Sequence, residues 1–298
     1  MGGGITVAKV TSPGHKLGQL IGNFFEGFFS NRLITLAEGL GFYCDKKGLR
    51  PKVRGKKRKV TWTDSEGNIH DMDYVFERNG TRDEKGEPVA FIELAWRRYT
   101  KHSRNKAGEI QAALVPLGNT YRNTCNFLGA ILGGEFTEGA RRQLTSHNIN
   151  ILYIPYRIIV DVFLTKGINL DYPEDATNQQ KYELVEAWEN LSQADINDIE
   201  KAFAKSIKSD YQEFVRSLKK ALLRRIEKIR ILPLFGNEMV FTSVIDAIAA
   251  IEQTAMILEE GAKFRKFEIY MHFTNGDRIE GSFQEREEAL KFLRIYTE

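Results

Sequence analysis

Asp73 and Glu93 lie twenty residues apart, and each borders a short apolar run. Asp73 opens Tyr74-Val75-Phe76, and Glu93 closes Pro88-Val89-Ala90-Phe91-Ile92. A dense set of cations follows at once: Arg97, Arg98, Lys101, His102, Arg104 and Lys106. Runs of this length and composition read as strands, and the polar, Gly-containing segment 79–87 is a turn that brings the second back beside the first. The two carboxylates then meet across a sheet. Such a pair binds Mg²⁺ through oxygen and leaves coordination positions for water and a phosphate oxygen. Metal held there polarises a phosphodiester and lowers the pKa of an attacking water. The cations alongside suit a polyanion. The pattern implies metal-dependent phosphodiester hydrolysis, with Asp73 and Glu93 as metal ligands.

The elements that must position this pair can be traced along the chain. Phe24, Phe25, Phe28, Phe29, Leu33, Leu36 and Leu40 recur near helical spacing and predict a helix over 15–40 that ends at Gly39 and Gly41. A basic run, 50–59, precedes a strand at 60–63. Ser65-Glu66-Gly67-Asn68 is turn chemistry, and strands at 69–77 and 88–95 complete a three-stranded meander. Period-2 alternation puts Asp71, Asp73, Val75 and Glu77 on one face. A helix over 103–117 with Ser103 as N-cap follows, then a strand at 127–132, a helix at 136–147, a strand at 149–154 and a helix from Pro155. Segment 166–180 reads as a linker, 181–230 as strongly helical, and 241–260 as a further helix. Thr274-Asn275-Gly276-Asp277 between two alternating runs marks a hairpin, closed by a helix at 284–296. The expected organisation is a core over 1–165, a helical region over 166–262 for DNA recognition or dimerisation, and a small ββα unit over 263–298.

The totals fit this reading without deciding it. The 298 residues carry a net charge of +3, with 42% hydrophobic and 28% charged residues, ordinary for a globular chain. Cys44 and Cys125 form no CxxC pair, which argues against a structural zinc site and suits a reducing cytoplasm. The opening MGGGITVAKV lacks the apolar core of a signal peptide. No run reaches the roughly 18 apolar residues of a membrane span. The expectation is a cytoplasmic protein with no membrane partner.

The stretch from Asp71 to Gln111 and the order of elements around it resemble the PD-(D/E)XK nuclease superfamily, which includes many type II restriction endonucleases. The resemblance covers about half of the chain and implies an α/β, mixed-sheet restriction-endonuclease-like core. Asp73 matches the first acid and Glu93 the second. Met72 stands where the family often has Pro, and Ala95 stands where the pattern expects Lys. The implied catalytic set is Asp73, Glu93, Lys106 and Glu109, with Lys106, Lys101 and Arg97 as candidates for the displaced lysine role. Gln111, Glu26 and Glu38 are further candidates on the flanking helices. Arg97, Arg98, Lys101, His102, Arg104, Lys56 and Lys57 are the expected DNA contacts. Trp96 and Tyr99 serve either as base-stacking platforms or as core. The implied activity is Mg²⁺-dependent hydrolysis of double-stranded DNA, with Mn²⁺ as a substitute. The restriction type carries further expectations: a homodimer, since each active site serves one strand, and a cognate DNA methyltransferase encoded nearby. Two alternatives stand beside it: a DNA-binding protein on a catalytically degenerate core, which Ala95 favours, and a structure-specific repair or recombination nuclease.

Overall fold

Ser12 caps the first helix, α1 (Pro13–Gly39), by accepting a hydrogen bond from the His15 amide, and Pro13 occupies the first turn, where no donor is needed. The computed structural model describes residues 12–233, 237–254 and 266–297. Along α1 the residues Leu17, Ile21, Phe25, Phe28, Phe29 and Leu33 are all buried, as their spacing predicts. The chain then runs through β1 (Tyr43–Lys46), α2 (Pro51–Arg54), β2 (Val60–Thr63), β3 (Ile69–Met72), β4 (Tyr74–Arg78) and β5 (Glu87–Arg97). A short 3-10 turn leads into α3 (Ser103–Thr120), followed by β6 (Phe127–Gly134), α4 (Glu138–Thr145), β7 (Asn150–Pro155) and α5 (Tyr156–Leu164). Helices α6 (Asn178–Glu189), α7 (Gln193–Ser206) and α8 (Lys208–Leu222) come next.

The main sheet is mixed, in the order β1-β4-β5-β6-β7. Strands β1, β4 and β5 pair antiparallel; β5, β6 and β7 pair parallel, with α3 and α4 as crossovers. β5 is central, and Pro88 through Glu93 are buried without a break, as expected of a strand covered on both faces. One face packs Val75, Phe91, Ala95 and Leu132 against Ala107, Ile110 and Leu114 of α3 and Leu144 of α4. On the other face a cluster of rings closes the core: Phe203 of α7 meets Phe24, Phe25 and Phe28 of α1 edge-on, and Phe24 meets Phe163 of α5. Aromatic pairs in this geometry add to the area they bury. β6 ends in Gly134 at φ 94°, where a Cβ would stand 2.0 Å from the Arg97 carbonyl oxygen, so only glycine lets the two strand ends meet.

Three expectations need correction. The meander contains a strand that the sequence reading omitted: β1, not 60–63, lies beside β4. β2 pairs only with β3, as a two-stranded ribbon packed over the α3 face. The expected strand 69–77 is broken by a bend at Asp73 and has a register shift between Phe76 and Glu77, so its acids do not share a face. β5 extends to Arg97, so Glu93 closes the apolar run but lies within the strand.

The chain divides into two compact units, Met1–Leu218 and Lys219–Glu298, rather than at 165 and 262. Helices α6 and α7 belong with the first unit because they pack on α1 and α5. In the second unit, β8 (Ile226–Pro233), β9 (Met239–Phe241), β10 (Phe267–Phe273) and β11 (Arg278–Phe283) form an antiparallel sheet in the order β11-β10-β8-β9. Its inner face places Ile229, Ile231, Ile269 and Met271 in one cluster with Ala247 and Ile251 of α9 (Val244–Thr254) and Leu290 and Leu293 of α10 (Arg286–Arg294). The expected ββα arrangement is present as β10, β11 and α10, but it belongs to this larger layer. Residues 226–230, expected as helix, are strand, the first part of β8; the tail of the helix expected over 241–260 lies outside the described residues. Among the described residues, no helix is long and apolar enough to cross a membrane.

Candidate active site

Asp73 occupies the bend between β3 and β4, where the chain leaves the ribbon and enters the main sheet. Tyr74 pairs with Ile92, which sets Asp73 beside Glu93. The two residues are tied reciprocally. The Asp73 amide donates to Glu93 Oε1 at 3.3 Å, and the Leu94 amide donates to Asp73 Oδ2 at 2.8 Å. Glu93 is buried, while Asp73 lies half-buried on the wall of an open cavity of about 230 Å³. Gln19, Gly22, Asn23 and Glu26 of α1 line the cavity opposite, with Lys46 and Lys47 at the end of β1.

Burial raises the proton affinity of both acids. For Glu93, burial and then the neighbouring Asp73 charge push the pKa up to about 8; Lys106 acts against them. For Asp73, burial is again the largest cause and Glu26 adds to it, while the Leu94 hydrogen bond, Lys106 and Lys47 oppose it. Two carboxylates pressed together out of water resist carrying two negative charges. A divalent cation relieves that cost. Among the described residues, no group of three or more His, Cys, Asp or Glu side chains is arranged to hold a metal. A two-carboxylate, all-oxygen donor set fits Mg²⁺, which keeps several waters and takes one or two carboxylates, better than a closed zinc site.

The remaining expected residues separate into those that join this pair and those that do not. Lys106 reaches it electrostatically from α3 and also binds Glu109 Oε2 at 3.1 Å. Glu26 lines the cavity, but Glu38 is exposed further along α1. Gln111 binds Gln143 of α4 at 2.8 Å. Ala95 is buried beneath α3 in the apolar cluster; a lysine there would put its ammonium into the core. Arg97 turns back to the Trp96 carbonyl. Arg98 is packed over the Tyr172 ring at 3.3 Å and bonds that residue's carbonyl, a structural position rather than a DNA-facing one. Lys101 pairs with Glu174 at 2.7 Å. Arg104, Lys56 and Lys57 are exposed, and the side chain of His102 lies outside the described residues. Trp96 stacks on Phe25, is partly buried and lines the same cavity as Asp73.

Glu77, expected beside Asp73, has a different role. It is fully buried against Arg50, whose guanidinium also bonds Asp45 at 2.8 Å and the carbonyls of Thr81 and Glu84. Arg54 adds a second cation on Asp45 at 2.7 Å. Part of the basic run 50–59 is thus structural. Sequence reasoning missed this network, along with Lys46 and Lys47; the short run YCDK after Gly41 was the available signal. Cys44 and Cys125 are free, and burial pushes both thiols up to about 12, which leaves them unreactive.

No family model and no curated protein matches the chain. A solved structure described as a protein of unknown function, AF1548, matches with 14% identity and a TM-score of 0.29, over 62% of this chain and 98% of that one. Likeness at that level assigns neither fold nor activity.

Proposed function

We propose that this chain is a Mg²⁺-dependent endonuclease acting on double-stranded DNA, built on a restriction-endonuclease-like core of the PD-(D/E)XK type. The observation that carries the reading is the Asp73–Glu93 pair, locked by reciprocal backbone hydrogen bonds, with Asp73 on the wall of a cavity and Glu93 buried behind it. The order of elements from α1 to β7 supports the same core. Bound at the two carboxylates, Mg²⁺ supplies polarisation of the scissile phosphate and a more acidic attacking water. Asp73 and Glu93 hold that charge in place. Lys106 lies near enough to influence both acids and takes the part that Ala95 leaves open, offsetting charge that develops on the phosphate. Glu109 orients the Lys106 ammonium. Mn²⁺ substitutes for Mg²⁺ in this reading. A sequence-specific restriction enzyme acting as a homodimer, with a methyltransferase encoded nearby, is the form we favour.

Ala95 favours a second reading, a DNA-binding protein on a degenerate core. Digestion of a mixed-sequence plasmid with Mg²⁺ or Mn²⁺, followed by sequencing of the ends, separates the two. Discrete ends at a common sequence support the restriction reading, and cuts at branches point to a structure-specific nuclease. Salt-sensitive binding without any cutting establishes the degenerate form.

A further inference from the structure

The nuclease motif gives no role to the polar side chains early in α1, yet they follow a pattern. His15, Gln19 and Asn23 recur at four-residue intervals on a helix that otherwise buries large apolar groups. His15 Nε2 and Gln19 Nε2 lie 3.1 Å apart, and Gln19, Gly22 and Asn23 line the cavity beside Asp73. Gly22 has no atom within 4 Å of where a Cβ would stand, so this wall is set back. Lys46 and Lys47 stand on the β1 side. Lys52, Lys59, Lys101 and Lys106 each pair with a carboxylate. Among the described residues, no salt bridge engages Lys46 or Lys47. A cavity with two uncommitted ammonium groups, two side-chain amides and a recessed helix surface, lined also by Glu26 and by half-buried Asp73 with Glu93 behind it, has the chemistry of a polynucleotide backbone site beside a metal-binding acid pair.

We propose that this cavity seats one strand of the substrate at the scissile phosphate. Lys47, with Lys46 beside it, contacts the phosphate from the β1 side, and Gln19 and Asn23 contact the adjoining sugar or base edge. The inference rests on the nuclease reading and extends it. Lys106 then acts on both acids from α3 and Lys47 on Asp73 from the end of β1, which is how the core manages without a lysine at Ala95. Gly22 leaves the clearance that the strand requires.

The test uses the full chain and three variants, Lys47→Ala, Lys47→Arg and Gly22→Leu. A labelled duplex oligonucleotide reports binding across a salt series, plasmid cleavage reports rate, and calorimetry with Mg²⁺ alone reports the metal site. Lys47→Ala should weaken DNA binding roughly fivefold to tenfold and lower the salt slope by about one, since one phosphate contact is lost. Its Mg²⁺ uptake should not weaken, and Lys47→Arg should recover most of the DNA affinity. Gly22→Leu places a good helix former in open space, so its melting temperature should hold or rise, while cleavage falls roughly tenfold or more because the strand is displaced. A wild-type salt slope in Lys47→Ala, or a wild-type cleavage rate in Gly22→Leu, overturns the strand placement and leaves the nuclease reading intact. A wild-type chain that neither takes up Mg²⁺ nor cuts DNA overturns both.

Discussion

Glu93 is the residue whose chemistry depends most on its surroundings. Burial and Asp73 hold its proton up to about pH 8, Asp71 adds to this, and Lys106 opposes it. The folded state favours protonated Glu93, so its stabilisation is complete below the ordinary carboxylate range and is lost as pH rises through about 8. Metal-free protein should therefore lose stability between pH 5 and 9, by an amount on the order of a few kcal/mol, and Glu93→Gln should flatten that loss. Thermal melts across this range measure it. Mg²⁺ competes with the same proton, so its uptake near neutrality should release protons and tighten with pH, levelling off above about 8. Calorimetry in buffers of different ionisation heat reads that release. Lys106→Ala removes the cation that lowers the proton affinity of both acids. It should cut turnover about 100-fold and move the rising limb of the pH profile to higher pH; an unchanged rate would remove Lys106 from the chemistry.

At the scale of elements, the Arg50 network holds the turn after β4 onto the end of β1. Asp45, Glu77 and Arg50 are all buried, and every Arg50 nitrogen donates. Arg50→Met strands two carboxylates, although Arg54 still serves Asp45. The variant should lose about 3–5 kcal/mol of stability, measurable by urea unfolding. These partners were hard to read from the sequence because Arg50 and Glu77 lie 27 residues apart and each resembles a surface charge. The apolar periods of α1 and α3 and the runs of β5, β6 and β7 were legible, since a buried helix stripe or central strand is written in consecutive local residues. β1 was not, because four residues, Tyr43–Lys46, carry too little period to register. Ile226 continues the helical spacing of Leu218 and Leu222, while Ile229, Ile231 and Pro233 follow the period-2 pattern that prevails in β8.

For the whole molecule, the acids that open the sequence reading and the cavity beside them lie in the first unit, Met1–Leu218. The second unit has its own core, and two of its arginines are engaged: Arg224 by Asp277 at 2.9 Å and Arg230 by Glu238. Asp73 and Glu93 could be identified from their places beside two apolar runs. Their reciprocal hydrogen bonds could not, because these depend on the bend that breaks 69–77. The most direct measurement is Mg²⁺-dependent cleavage of supercoiled plasmid by wild-type protein, Asp73→Asn and Glu93→Gln, side by side and folded to the same extent by circular dichroism. Wild type should give nicked and linear products, and cleavage should fall by at least about 100-fold in each variant. Cleavage by both variants at the wild-type rate would contradict the assignment of Asp73 and Glu93 as metal ligands.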